Sequence, residues 1–259
     1  MNISMQDSHN LAWKLAYAVL GLTPNLVELL CTYEAERRPI ASDVVFFDKR
    51  WNQSDMPREQ KLKEGSDQLL GCGVEYKENL VVAAREEELG GSGAKHPVSG
   101  TGYMKGVLRT GRRLLNVQLK RFADGSMLDI HDDLLANGRY RVVVICGEDF
   151  PNAEGRSSSA VTSVCGDIIK EFPAGMVEVI ILQPDLSPTW EFDDLPACIK
   201  EEAEMRLYCA GGEVYETYGL DVKRGAIVLV RPDGMVGMVT NLEDVAMLTD
   251  MLRRVLVTV

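Results

Sequence analysis

The chain has 259 residues, 46% of them apolar and 26% charged, with 28 basic against 39 acidic side chains and a formal net charge of −11. That length and composition fit one large domain or two small ones around a real core and exclude global disorder. Nucleic acid is excluded as an expected partner by the acidic balance and the lack of any long Lys/Arg run, and a membrane span by the lack of roughly 20 consecutive apolar residues. Met1 to Asp7 carry neither the basic nor the apolar region of a signal peptide, so the expected location is cytoplasmic. The six cysteines (Cys31, Cys72, Cys146, Cys165, Cys198, Cys209) form no C-x-x-C pair and have no His at metal-ligand spacing. They are expected as reduced, mostly buried thiols, with no metal site.

Three helices are expected in the first fifty residues. Ser4 and Asp7 have the spacing of a capping box, and the following Leu11, Ala12, Trp13, Leu15, Ala16, Tyr17, Val19 and Leu20 are apolar on nearly every face, which predicts a helix buried all round. Gly21 ends it, Pro24 opens a second helix with the stripe Leu26, Leu29, Leu30 and Tyr33, and Pro39 separates that from a third carrying Ile40, Val44, Phe47 and Trp51. Arg37 and Arg38 read as charges complementing a helix C-terminus. From about 52 to 105 the pattern decays into charge runs and a Gly/Ser-rich stretch, which predicts a linker or a surface connection.

Beyond Gly106 the texture is α/β. Asp124-Gly125 between two apolar runs predicts a hairpin, and the β-branched run Val142 to Ile145 a buried central strand. A helix with Val161, Val164, Ile168 and Phe172 on one face and a strand from Met176 to Leu182 complete a β-α-β unit. Strands Ala226 to Val230 and Met235 to Val239, joined by Pro232-Asp233-Gly234, and a helix carrying Val245, Leu248, Leu252 and Val255 then give a β-β-α unit. That order predicts a thioredoxin-like fold; another small α/β sandwich of the same elements is the alternative.

The chemistry of that fold needs a thiol at the start of the helix after the central strand. The loop there, Gly147-Glu148-Asp149-Phe150-Pro151-Asn152, has none, and Arg224-Gly225-Ala226 stand where such oxidoreductases carry a cis-proline. His9, His96 and His131 are far apart in sequence, and no glycine-rich phosphate loop follows a strand. No catalytic residue is assigned.

The opening, Met1-Asn2-Ile3-Ser4-Met5-Gln6-Asp7-Ser8-His9-Asn10-Leu11-Ala12-Trp13-Lys14-Leu15, resembles the pattern G-M-N-x-x-x-Q-D-A-x-N-L-x-W-K-L of the FAD-dependent aromatic hydroxylases of the phenol 2-monooxygenase type. Tyr33-Glu34-Ala35-Glu36-Arg37-Arg38-Pro39 is similar to the family's next signature, Y-x-x-E-R-x-P. Gly111-Arg112-Arg113-Leu114, Asp124-Gly125-Ser126, Tyr218-Gly219-Leu220 and Val230-Arg231-Pro232-Asp233-Gly234 continue the resemblance. It implies a helical remnant of an FAD-binding domain over 1–51, a connecting segment over 52–105, and a thioredoxin-like dimerisation domain over 106–259. It implies FAD, NAD(P)H as co-substrate, an aromatic substrate, and a homodimer or a full-length hydroxylase as partner. By the same resemblance, Met1 and Asn2 match the helix start whose backbone N–H groups face the flavin. The pyrophosphate loop and substrate domain have no counterpart in this sequence, and Met1 falls on an internal methionine of the family pattern, so a catalytically incomplete chain is expected. The rival expectation is a stand-alone interaction module.

Overall fold

The computed structural model describes residues 2–53, 73–84, 108–150, 152–185, 193 and 195–259. Two helices open the chain, α1 (Asn2–Leu20) and α2 (Leu26–Gln53), where three were expected. Pro39 lies inside α2 without ending it. A proline there removes one hydrogen bond to the carbonyl four residues earlier; that residue, Ala35, is solvent-exposed, so water can replace the lost donor. The expected capping box is absent as well. Ser4 lies within α1, its carbonyl accepts a hydrogen bond from Ser8 Oγ at 3.0 Å, and Asp7 pairs with Arg37.

Nor is α1 buried all round. Its inward face consists of Asn10, Trp13, Lys14 and Tyr17, while Leu15 is 45%, Val19 83% and Leu20 69% exposed. Composition identified an apolar helix, but the side it buries is the one carrying an amide and an ammonium.

The rest of the chain is built on a mixed seven-stranded sheet. Its strands are β1 (Gln118–Arg121), β2 (Met127–Asp129), β3 (Tyr140–Ile145), β4 (Val177–Pro184), β5 (Leu207–Ala210), β6 (Ala226–Val230) and β7 (Val236–Thr240), in the spatial order β2-β1-β5-β4-β3-β6-β7. Between them lie α3 (Arg156–Gly166), α4 (Ala197–Glu202) and α5 (Gly212–Tyr218), and α6 (Val245–Val255) follows β7. β3 pairs in parallel with β4 and antiparallel with β6, and β6 pairs antiparallel with β7. With α3 between β3 and β4 and α6 after β7, this is the thioredoxin-like arrangement, extended past β4 by β5 and the β1–β2 hairpin. The hairpin turns at Asp124-Gly125 as the sequence predicts, with Gly125 at φ +71°.

Period-two alternation divides the core between the two faces of the sheet. Tyr140, Val142 and Val144 of β3 face α3, α6 and the α1–α2 hairpin; Val143 and Ile145 face α5 and the segment after Leu108. All six β3 side chains are buried, as the sequence predicts for a central strand. Each such valine or isoleucine contributes about 1.5–3 kcal/mol of transfer free energy.

The hairpin of α1 and α2 sits on the first of these faces. The Trp13 and Tyr17 rings meet Tyr140 edge-on, at 6.0 and 6.3 Å between centroids. The loop between α1 and α2 is tied to the end of the chain by Val257 N–H to the Leu22 carbonyl at 3.0 Å and Asn25 Nδ2 to the Arg254 carbonyl at 2.9 Å. No described helix is long and apolar enough to cross a membrane.

Candidate functional site

Where the hairpin meets the turn between β6 and β7, four charged side chains are enclosed: Lys14 from α1, Glu36 from α2, and Arg231 and Asp233 from the turn. Arg231 grips Glu36 with both terminal nitrogens, at 2.5 and 3.0 Å, and Asp233 through Nε at 3.1 Å and Nη2 at 2.5 Å. Lys14 Nζ donates to Glu36 at 2.8 Å and to Asn10 Oδ1 at 2.8 Å. Asn10 Nδ2 donates to Glu36 at 2.7 Å, Asn79 Nδ2 to Glu36 at 3.0 Å, and Trp13 Nε1 to Asp233 at 3.3 Å. The Arg231 guanidinium also lies over the rings of Trp13 and Tyr76, 5.6 and 5.3 Å from their centroids, which adds cation–π attraction in a dry setting. Beside this cluster, Arg37 pairs with Asp7 at 2.6 Å and donates to the Tyr76 hydroxyl at 2.9 Å.

Two cations and two anions make the junction neutral, which allows it to be buried. Burial alone would raise the Glu36 carboxyl; the Arg231 charge and hydrogen bonds, with Lys14 and Asn10, outweigh it and hold the group at about 2. Lys14 moves the other way, down to about 8. Burial disfavours its ammonium and Arg231 repels it, more than Glu36 and Asp233 compensate. Arg231 therefore organises the junction, and Lys14 is its least favoured charge.

The sequence expectation for Arg37 and Arg38 is corrected here. Arg37 is buried in the ion pair with Asp7, and only Arg38 is the exposed helix charge, paired with Glu34 one turn earlier at 2.9 Å. Lys14, Glu36, Arg231 and Asp233 were legible only as parts of the resembling motifs. A lysine within the apolar run Trp13 to Tyr17 was the one local sign that α1 buries a charge.

At the position where the fold can do redox chemistry, Asp149 takes the place of a thiol. Its carboxylate accepts the backbone N–H of Arg156 at 2.7 Å and of Ser157 at 3.4 Å, and the Ser157 hydroxyl at 2.6 Å, which closes the N-terminus of α3. Gly225, at φ +63°, leans on the end of β3; a Cβ there would stand 2.4 Å from the Ile145 carbonyl oxygen, so only glycine fits. Burial, with Asp149 nearby, pushes the Cys146 thiol well up, and burial pushes Cys165 up to about 12. The expectation of mostly buried thiols holds for these two but not for the exposed Cys31 or the half-buried Cys198 and Cys209. Cys72 lies outside the described residues.

Of the residues expected to face a flavin, Asn2 is the first residue of α1 and Met1 lies outside the described residues. His9 is half-buried on α1, and His131 Nε2 lies 2.8 Å from the Leu114 carbonyl in a short 3-10 turn capped by Asp129 and Asp132. His96 lies outside the described residues. Among the described residues, no group of His, Cys, Asp or Glu has the arrangement of a metal site. FAD needs a pyrophosphate cradle at a glycine-lined strand-to-helix turn. At the β3–α3 turn Asp149 holds the helix N–H groups, and at the β5–α5 turn the Glu213 carboxylate lies within 2.5 Å of where a Gly211 Cβ would stand. The described residues do not by themselves fit the dinucleotide.

Fold and junction define a thioredoxin-like module carrying a helical hairpin of a flavin-binding domain. Two family models divide the chain accordingly: the phenol hydroxylase C-terminal dimerisation domain matches residues 74–258 and the FAD binding domain matches residues 1–48. The chain belongs to the phenol hydroxylase family of FAD-dependent aromatic monooxygenases and contains its C-terminal part. It is 31% identical to the flavin-dependent oxygenase ucdD of Aspergillus ustus, over 93% of this chain and 39% of that protein. To 3-hydroxybenzoate 4-monooxygenase of Comamonas testosteroni it is 28% identical, over 96% and 42%. Among solved structures, aklavinone-11 hydroxylase in complex with FAD and aklavinone covers 98% of this chain with 40% of its own length, at a TM-score of 0.55 and 23% identity. The flavin-dependent monooxygenase PieE in complex with FAD and substrate also reaches a TM-score of 0.55, at 18% identity, over 98% and 44%. These two carry the fold alone. The chain spans about two fifths of the length of the relatives it matches.

Proposed function

We propose that this chain serves as the C-terminal section of a phenol hydroxylase-like monooxygenase, cytoplasmic and acting on an aromatic ring with FAD, NAD(P)H and dioxygen at the level of the whole enzyme. Residues 1–51 complete the FAD-binding domain, 52–105 connect, and 106–259 form the dimerisation module. The observation that supports this reading is the buried junction. Its hairpin half, Lys14 and Glu36, and its module half, Arg231 and Asp233, come from the family's signature segments and match in charge and geometry. Such a junction fixes the direction of α1, and with it the helix start at Met1 and Asn2 that faces the flavin in this reading.

As it stands, the chain is catalytically incomplete. Backbone contacts at a helix start offer a few hydrogen bonds of about 0.5–1.5 kcal/mol each, against the roughly 8 kcal/mol that micromolar affinity requires. Its partner is a second copy of itself or a full-length hydroxylase. A second reading, a stand-alone interaction module, is favoured by the closed core of the sheet.

The test is to incubate the chain with excess FAD, desalt it, and record the visible flavin band together with NADPH consumption in the presence of a phenol. Colourless protein without phenol-dependent turnover is expected. Stoichiometric yellow protein or phenol-dependent oxidation of NADPH would overturn the claim of incompleteness. Addition of a truncated hydroxylase lacking this section separates the two readings: restored activity supports the first, and no association supports the second.

A further inference from the structure

We infer that the cleft between α1 and the β6–β7 turn is a binding site for a small oxyanion, a carboxylate or a phosphate, held by Arg113 and His9. The inference stands independently of the flavoprotein reading. The cleft is a shallow depression whose roughly 330 Å³ of empty space includes open solvent, and its polar wall consists of Gln6, His9, Asn10, Tyr76, Arg113 and Asp233. Asn10, Tyr76 and Asp233 are committed to the junction, and Gln6 accepts from Arg37 at 3.5 Å. Arg113 and His9 differ. Both are half-buried and line the same cleft, and among the described residues neither side chain makes a hydrogen bond or an ion pair.

The backbone of Arg113 is held in place, so its guanidinium is presented from a fixed point. Residue 113 bridges Met235 in antiparallel fashion, and the flanking bonds Leu114 N–H to Gly234 O at 3.0 Å and Val236 N–H to Arg112 O at 2.6 Å fix it on both sides. Beneath the guanidinium lies Gly234 at φ +77°, where an added Cβ would stand 3.4 Å from Nη1. Glycine therefore serves the turn and also leaves room for the fork.

Electrostatics selects the sign of the ligand. Each acid close to the cleft is matched by its own cation: Glu36 and Asp233 by Arg231 and Lys14, Asp7 by Arg37, and Glu75 by Arg112 at 2.5 Å. Among the described residues, what remains facing the cleft is the charge of Arg113, in a chain whose net charge is −11. A guanidinium fork fits a planar carboxylate or two oxygens of a phosphate, and an imidazole N–H adds a further donor. The proximity of a matched acid such as Asp233 costs little, because its field is cancelled locally by Arg231.

The experiment titrates the full chain with benzoate and, separately, with inorganic phosphate at constant ionic strength, by calorimetry and by the NMR signals of the His9 ring. At least one of the two should bind saturably and shift those signals, and the pair identifies whether a carboxylate or a phosphate is preferred. Affinity should fall about tenfold or more in Arg113→Met, the loss expected for a charge-assisted pair. In His9→Gln it should fall about threefold, with the melting temperature unchanged. Should Arg113→Met fail to fold, the His9→Gln titration decides. Absence of saturable binding by both anions, or binding of equal strength in the variants, would overturn the assignment.

Discussion

In β6 all five side chains from Ala226 to Val230 are apolar and fully buried, whereas α1 turns Asn10 and Lys14 inward and leaves Leu15, Val19 and Leu20 in solvent. The sheet carries a core on both faces, with α3, α6 and the inner side of the hairpin on one side and α5 on the other. The hairpin, in contrast, is held by the Trp13 and Tyr17 rings and by a charged junction. A sheet packed in this way owes its stability to area removed from water, which is non-directional. A junction of matched charges owes its stability to geometry and suffers most when the member with the most partners is lost. The comparison thus separates a region that tolerates trimming from one that does not.

Substitution at Arg231 should break that distinction most sharply if it is wrong. Arg231→Met leaves Glu36 and Asp233 facing Lys14 alone, an uncompensated buried negative charge, and should cost about 3–5 kcal/mol. Ile181→Val in β4, equally buried, should cost about 0.5–1.5 kcal/mol. Lys14→Met should fall well below Arg231→Met, because burial already disfavours the Lys14 ammonium. Urea denaturation of the three variants checks the order. A greater loss in Ile181→Val than in Arg231→Met would show that the hairpin is not held by its charges.

A smaller effect follows from pH. The folded Glu36 carboxyl is held at about 2, below its ordinary value of 4.5. Its contribution is therefore complete above the unfolded pKa and is lost as pH falls from there toward 2. Lys14 acts in another window and with its own sign. Its folded value of about 8 lies below the ordinary 10.5, so the unfolded chain binds more protons between them and the Lys14 contribution rises with pH there. Unfolding midpoints at neutral pH and at pH near 3 should therefore differ more in the wild type than in Glu36→Gln. Equal differences in the two proteins would remove Glu36 from the acid response.

The sheet was legible in the sequence because its signals are local. An unbroken β-branched run marks β3, Asp124-Gly125 marks a hairpin, and Pro232-Asp233-Gly234 marks the turn before β7. β5 escaped because Leu207 to Ala210 is only four residues long and follows a charged stretch that has no strand signature. Pro39 misled because its effect on a helix depends on what surrounds the freed carbonyl, and exposure is a tertiary property. The junction was illegible for the same reason: positions 14, 36 and 231 have no spacing rule in common, and Asn79 and Tyr76 come from a stretch that read as a connecting segment. Only the resemblance placed Glu36 and Arg231 in one family, and it gave them no partner. Met1 and Asn2 rest on that resemblance still.

The mildest change to folding, on this comparison, belongs to the outer face of α1. Val19 and Leu15 point away from the junction into solvent, and nothing described packs over Val19, so Leu15→Ser with Val19→Ser should change stability by no more than about 0.5 kcal/mol per site. Further exposed apolar side chains lie on α2 at Val27, Val45 and Phe46, and exposed apolar surface favours association. The double variant should therefore reduce self-association in light scattering while its urea midpoint stays with the wild type. A large loss of stability would mean that this face is part of the fold of the chain and that the hairpin, like the sheet, is held from its apolar side. Unchanged association would instead assign self-association to the thioredoxin-like module, whose family model is a dimerisation domain.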